Sequence, residues 1–480
     1  MAESKLKATE SASKGEREPS KGTLEFAGLL TRHREYFQSG ATRSAEWRES
    51  QLIALRSMMK EHAEAFYAAL WEDLRRNRIE ADWVDVKYMI SEIDHVLAHV
   101  RHWMKPSHVN TPVVLAPSYA QVQFDPLGVG LIIGTWNYPV MLTLSPLVAA
   151  ISAGNAAVIK PSDLSPATAN VIARLIPEYL DRNAFSVVLG GVPETTALME
   201  QRWDHIFFTG GTAVAKIVMT AAAKNLTPVV LELGGKNPTI VHSSVNLRVA
   251  AHRIAFGRWF NAGQTCTAPD HVLVFRDVAE EFLRHLKEAV LQFYGEDPQK
   301  SPDYGRIVNA HHFDRLAKLL ARGRVYHGGK HDRADRFIAP TVLVDVSPDS
   351  PVMQEEIFGP ILPVLEVNDV QEVIDFINAR PSPLGLYVFS EDQSVTQRIL
   401  NSTTSGDAAV NECTLQPIIH DLPFGGVGLS GMGKYHGEWG FRAYSNARGV
   451  LYHSTTLDFG GLRYPPYERN RKLRELVIPS

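Results

Sequence analysis

Between Gly128 and Phe275 the chain repeats one texture: a short apolar run that stops at Gly, Pro or Ser, then a stretch with helically spaced apolar residues. GVGLIIG, NAAVIKPS, FSVVLGG, HIFFTGG and TPVVLELGG are the runs, and PATANVIARLIPEYL and TAVAKIVMTAAAKN are helical patterns between them. A continuously apolar run of strand length is buried on both faces, which is the condition of a strand in a parallel sheet covered by helices. The alternation therefore predicts a doubly wound α/β unit. Beyond Gly235 the pattern restarts with PTIVHSSV, LRVAAHRIAFGRWF and HVLVFRD, so a second α/β unit begins near residue 233.

The segment before this region reads differently. Residues 24–104 carry apolar residues three and four apart with charges between them, as in LIALRSMMKEHAEAFYAALWEDLRR, and are expected to be mostly helical. From Tyr119 the pattern AQVQFDPLGVGLIIGTW predicts an outer strand followed by a buried one. The polar alternation from Pro117 to Gln123 suits an edge strand that needs a partner. Residues 1–22 mix Lys, Glu, Ser and Gly with no apolar stretch, which predicts a mobile tail and no secretory signal. No run approaches the ~18 apolar residues of a membrane span. With 49 Lys plus Arg against 53 Asp plus Glu, the formal charge of −4 gives no footprint for nucleic acid or an anionic membrane. Only two cysteines occur, Cys266 and Cys413, too few for a disulfide framework, so a cytoplasmic location is expected.

Several motifs fail on inspection. Gly426, Gly428 and Gly431 match GxGxxG but follow a Pro-containing loop instead of a strand, and GxxxxGK at Gly428–Lys434 is followed by Tyr435 where a magnesium-binding Ser or Thr is required. A glycine-rich loop that brings backbone close to another surface is the better reading. No CxxC or HExxH is present, and His311 and His312 are adjacent instead of spaced to converge, so no metal site is expected. Cys266 stands in FNAGQTCTAPD, a small, polar stretch expected to be a loop or the start of a helix, where backbone N–H groups lower a thiol pKa and hold an oxyanion. Glu232 ends the run VVLELGG, and Gly234 and Gly235 after it let a ligand approach the carboxyl end of a strand, where α/β proteins put their sites. A carboxylate there suits a general base.

PLGVGLIIGTWNYP, GNAAVIKPSDLSP, FFTGGTAVAK, LELGGKNP, FNAGQTC, EEIFGPI and LPFGGVGLSGMGKYHG, occurring in this order, resemble the aldehyde dehydrogenase superfamily over about residues 24–470. The turn Trp136-Asn137-Tyr138-Pro139, the ending GMGKYHG and the late RYPPY are most similar to its class 3, the aromatic and fatty aldehyde enzymes. The resemblance implies an α/β fold with two doubly wound parallel-sheet domains, a Rossmann-like cofactor domain and a catalytic domain, plus a small bridging or oligomerisation sheet. The implied boundaries are 23–104 and 128–232 for the cofactor domain, 233–440 for the catalytic domain, and 105–127 with 441–480 for the bridging segments of a homodimer.

It further implies NAD-dependent oxidation of an aldehyde to a carboxylic acid, with NADP also usable. Cys266 is then the nucleophile, Asn137 stabilises the oxyanion with the Cys266 backbone N–H, and Glu232 activates the water that releases the thioester. Trp136, Lys160, Asp163, Gly210, Thr212, Glu356 and Phe358 match cofactor-binding positions, and Tyr138 and Thr265 match the substrate pocket. Two positions depart from the family pattern: Ala215 replaces a Gly, and Asp163 stands where relatives often carry Glu, which weakens repulsion of a 2′-phosphate. Glu232 argues against the alternative of a CoA-acylating enzyme, and the intact Cys266, Glu232 and Asn137 argue against a catalytically dead relative. No local motif supplies the His of a cysteine protease.

Overall fold

The computed structural model describes residues 21–112, 115–457 and 464–472. The expected tail at 1–22 lies outside them except for Lys21 and Gly22, which open the helix Lys21–Gln38. Ser44 accepts the Trp47 N–H to start the helix Ala45–Glu61, whose Leu52, Leu55, Met58 and Met59 are fully buried. The helix Tyr88–Trp103 is preceded by a wider π turn over Asp82–Lys87, a local irregularity often found at functional sites. It turns Asp85 inward, where the side chain is completely buried.

The first sheet has six strands in the order Gly431–Met432, Val229–Glu232, His205–Thr209, Val129–Ile133, Ala156–Lys160 and Phe185–Val187. All pair in parallel except Gly431–Met432, which runs antiparallel to Val229–Glu232. The chain winds outward from Val129–Ile133 in one direction and then returns to add His205–Thr209 on the other side. That reversal opens a crevice at the carboxyl ends of these two neighbours, where doubly wound folds bind ligands. The residues that follow the two strands are Gly134–Tyr138 and Gly210–Thr212.

A second sheet of seven strands, Arg324–His327, Thr341–Val344, Ile361–Val367, His271–Phe275, Pro238–Val241, Gly385–Phe389 and Asp407–Val410, is parallel except for its first member. Each sheet has its own hydrophobic core. Gly431–Met432 lies within the range expected for the second unit yet hydrogen-bonds into the first sheet, bringing the glycine-rich loop against Glu232.

A third, antiparallel sheet joins Ser107–Val109, Ser118–Pro126 and Ser445–His453. Here the sequence expectation needs correction: Ser118–Pro126 is the central strand, paired on both sides within the chain. Its alternation reflects half-burial along nearly the whole strand, and among the described residues the long outer strand of this sheet is Ser445–His453. Among the described residues no helix is long and apolar enough to cross a membrane.

Candidate active site

A cavity of about 890 Å3 runs between the two sheets. Of the residues expected at the site, Trp136, Asn137, Gly210, Thr212, Glu232, Cys266, Glu356 and Phe358 line it. Tyr138 and Thr265 stand behind Asn137 and Cys266 and share a hydrogen bond of 2.6 Å between their hydroxyls. Lys160 and Asp163 do not line the cavity. The Lys160 ammonium is buried and donates to the Pro161 carbonyl at 2.7 Å, with Asp163 and Glu194 as its nearby charges, while Asp163 is exposed beside Gly191.

Cys266 sits in a turn between the helix Leu247–Trp259 and the strand His271–Phe275, not at the start of a helix. Three consecutive left-handed residues, Asn261, Ala262 and Gly263, with φ of 51°, 52° and 75°, swing the chain out of that helix. The Gln264 amide locks the turn by donating to the Asn261 and Arg306 carbonyls and accepting the Val308 N–H at 2.9 Å. Asn237 donates to the Cys266 carbonyl at 2.7 Å. The thiol is half-buried and opens into the cavity.

Its electrostatics differ from the sequence expectation. The N–H groups of Cys266 and Thr267 do favour the thiolate, but burial and the carboxylates of Glu356 and Glu232 outweigh them and push the thiol pKa up. Taking the sulfur out of water disfavours its charged form, and any ionisation of a neighbouring carboxyl disfavours it further.

Asn137 is 2% exposed, and its amide donates to the Gln264 carbonyl at 3.0 Å. An amide nitrogen carries two N–H donors, so the second remains available to the cavity. The backbone carbonyl of Asn137 accepts from Asn261 at 3.0 Å and from the Arg76 guanidinium, which forms a fully buried ion pair with Asp85 and lies over the Tyr138 ring at 4.5 Å. Asp85 also accepts the Met141 N–H at 3.1 Å. The π turn thereby fixes the Trp136–Pro139 loop from below.

Glu232 is 2% exposed, and neither carboxylate oxygen has a hydrogen-bond partner among the described residues. Its backbone is held on both sides, by Gly210 and through pairing with Gly431. Burial raises its pKa well above the carboxylate range; Asp407 adds to the rise and Lys434 opposes it. Gly425, at φ +156°, passes so near that a Cβ there would lie 2.7 Å from Oε1. Glu356 lies over Gly234, where any side chain would collide with the carboxylate, and burial pushes its pKa up to about 8.

At the far end, Gly211 precedes the helix Thr212–Ala223 with open space where its Cβ would stand. Free first-turn N–H groups with room in front suit an anionic phosphate. The Thr212 hydroxyl is already engaged, donating to the Leu429 carbonyl at 3.1 Å. Ala215 is buried in the first core, so its methyl is accommodated by packing. Trp136 meets Phe358 edge to face at 5.3 Å and His312 at 5.2 Å, forming an aromatic wall. The volume lies in the ~300–1,000 Å3 range of ligand pockets, and an anion-binding end joined to an aromatic wall beside a thiol fits a nicotinamide dinucleotide.

Sequence reasoning missed Lys236, Arg315 and His312, which also line the cavity. Lys236 pairs with Asp270 and donates to the Val352 carbonyl at 2.8 Å, while Arg315 donates to the Ile357 carbonyl at 2.7 Å, so both pin the segment that carries Glu356. Lys236 directly follows LELGG and was within reach of the motif. The other two carry no local signal.

The model of the aldehyde dehydrogenase family matches residues 25–450. Aldehyde dehydrogenase family 3 member B1 of Rattus norvegicus is 47% identical over 454 residues, covering 94% of this chain and 97% of that protein. The dimeric NADP-preferring aldehyde dehydrogenase of Canis lupus familiaris is 46% identical, covering 91% of this chain and 97% of that protein. A substrate-bound Staphylococcus aureus AldH structure superposes with a TM-score of 0.92 at 41% identity, covering 94% of this chain and 99% of that one.

Asp85→Ala leaves Arg76 buried without its counter-charge and should destabilise the chain by about 3–5 kcal/mol. Urea unfolding reads this directly, and an unchanged midpoint would remove the pair from the support of the Asn137 loop.

Proposed function

The chain belongs to the aldehyde dehydrogenase family, which oxidises aldehydes to carboxylic acids with NAD(P) through a cysteine thioester, and we propose that Cys266, Asn137 and Glu232 carry that reaction here. One observation carries the assignment: a cavity-facing thiol, an amide with an unused N–H and a buried, unpartnered carboxylate line one cavity with a helix N-terminus. Cys266 adds to the aldehyde carbon. The negative charge that develops on the oxygen is met by Asn137 and the Cys266 N–H. Bound cofactor supplies a hydride acceptor and, in its oxidised form, one positive charge. Burial first, and then the Glu356 and Glu232 carboxyls, hold the Cys266 thiol protonated, and a positive charge in the cavity would favour its thiolate.

Loss of hydride from the adduct leaves a thioester on Cys266. Glu232 then takes a proton from water as the water attacks, and collapse breaks the C–S bond, releasing the carboxylic acid and the Cys266 thiolate while Glu232 keeps the proton. A base whose pKa is lifted by burial takes a proton more readily than an ordinary carboxylate. Gly210 and Thr212 would hold the pyrophosphate, Trp136, Glu356 and Phe358 the nicotinamide end, and Lys160 and Asp163 the adenosine ribose.

Aromatic or medium- to long-chain aliphatic aldehydes are the proposed substrates. An aromatic series supports this, running from Tyr138 to Phe260, Phe256 and the 40%-exposed Trp83 with ring centroids 5.1–6.5 Å apart. Tyr138 and Thr265 form its inner end. A homodimer is proposed because, among the described residues, Ser445–His453 is the long outer strand of its sheet, and an outer strand invites pairing with a second chain. The unbridged cysteines favour the cytoplasm.

Cys266→Ala should abolish turnover while cofactor still binds, and Glu232→Gln should retain a burst of about one equivalent of reduced cofactor per site followed by slow turnover. A burst lost in the Gln variant would reassign Glu232 to thiol activation. NADP should be used at a kcat/KM roughly one to two tenfold steps below NAD, because Asp163 and Glu194 oppose the 2′-phosphate that Lys160 attracts. Asp163→Glu should widen the gap, and no NADP activity in the parent, or a narrower gap in the variant, would refute the argument. Light scattering at micromolar concentration should give twice the chain mass; a monomer would end the dimer proposal.

A further inference from the structure

Cys266 and Thr267 are the central residues of a four-residue turn, Thr265–Ala268, closed by the Ala268 N–H donating to the Thr265 carbonyl at 3.0 Å. That bond uses the first carbonyl and the last N–H of the turn, so the carbonyls of Cys266 and Thr267 must be met from outside it. Two distant residues meet them. Asn237 is 1% exposed, and its amide donates to the Cys266 carbonyl at 2.7 Å and to the Ala268 carbonyl at 3.0 Å, while its Oδ1 accepts the Gly385 N–H at 2.9 Å. Tyr387, fully buried on the strand Gly385–Phe389, donates its hydroxyl to the Thr267 carbonyl at 2.6 Å. Thr414 Oγ1 donates to the same carbonyl at 3.3 Å, and the Gln416 amide donates to the Tyr387 hydroxyl at 3.2 Å. All four consecutive carbonyls from Thr265 to Ala268 are thereby held.

We propose that Asn237 and Tyr387 are positioning residues for the nucleophile: by holding the carbonyls behind the turn, they aim the N–H groups of Cys266 and Thr267 at the sulfur and at the oxygen of its aldehyde adduct. The inference rests on the assignment of Cys266 as the nucleophile and adds the Thr267 N–H to the groups that stabilise it.

Three observations favour this role. The Cys266 carbonyl and the Thr267 N–H belong to one planar trans peptide and point in opposite directions, so the grip of Asn237 on the oxygen sets the direction of the N–H. Donation to that carbonyl also polarises the peptide and strengthens its N–H as a donor. The N–H groups of Cys266 and Thr267 both favour the thiolate, against burial and the Glu356 and Glu232 carboxyls, so their aim bears directly on how readily the sulfur ionises. Finally, the two holders interlock. Gly385 donates its N–H to Asn237, and the Tyr387 hydroxyl passes over the same glycine, where a Cβ would lie 2.5 Å from it. Neither Asn237 nor Tyr387 lines the cavity, so both act through the turn and not on the substrate.

The test is the rate at which iodoacetamide alkylates Cys266, located by peptide mass, in the full chain carrying Asn237→Ala or the pair Tyr387→Phe and Thr414→Val. The rate of first-turnover cofactor reduction and the Kd for NAD are measured alongside. At pH 7 alkylation should slow about tenfold in each variant, the change that one unit of thiol pKa produces. First-turnover reduction should slow by a similar factor, with the Kd for NAD unchanged. Parent-like alkylation and first-turnover rates in either folded variant overturn the role for the residue it removes. Slow alkylation accompanied by weakened NAD binding marks a loosened fold and overturns the role as well. Where Asn237→Ala does not fold, the Tyr387 and Thr414 pair decides. Alkylation reads the sulfur itself, whereas turnover retained in Cys266→Ala would overturn the nucleophile assignment, so the two failures are distinguishable.

Discussion

The chemistry of this cavity depends on carboxylates kept out of water with no cation in contact among the described residues. Glu232 and Glu356 both face Cys266, and burial raises the pKa of all three. Left in water these groups would ionise independently. In a low-dielectric crevice each charge penalises the next, so the resting site is held close to neutral and responds strongly to a positive charge or a proton.

That condition is set by the fold. The strand-order reversal in the six-stranded sheet opens the crevice, and the residues at its lips are those following Val129–Ile133 and His205–Thr209. The seven-stranded sheet closes it from the other side with Cys266, on its left-handed turn, and with Glu356, held by Lys236 and Arg315 through backbone carbonyls. The short strand Gly431–Met432 completes the enclosure by covering Glu232. Only residues without a Cβ allow so close an approach at Gly234 and Gly425, where a side chain would occupy the space taken by the carboxylates.

Much of this was legible in the sequence because it is local. Strand ends marked by glycine, a thiol among small polar residues and a carboxylate before Gly-Gly are each written within a few residues of one another. What the sequence hid is carried by separation and by balance. Arg76 reaches Asn137 across 61 positions, and nothing local announces that contact. The strand Ser118–Pro126 looked like an edge because half-burial gives the same alternation whether one or two neighbours are present. The thiol pKa went the other way from its local N–H donors because its dominant influences come from burial and from residues 34 positions before and 90 positions after it in the chain.

Lys434 shows how the remaining positive charge is managed. Its ammonium lies near Glu232 and Asp407 but donates to the carbonyls of Gly406, at 2.8 Å, and Gly425. Direct contact with Glu232 would favour the carboxylate form and return its pKa toward the ordinary range, producing an ion that is stable and a weak base. Bound to carbonyls, the same cation ties down the glycine loop and tempers the repulsion between Glu232 and Asp407 without neutralising either. A base that must collect a proton from water in each cycle needs its charge to be expensive when the proton is absent, and a carboxylate with no partner meets that need at the cost of one buried, unsatisfied group.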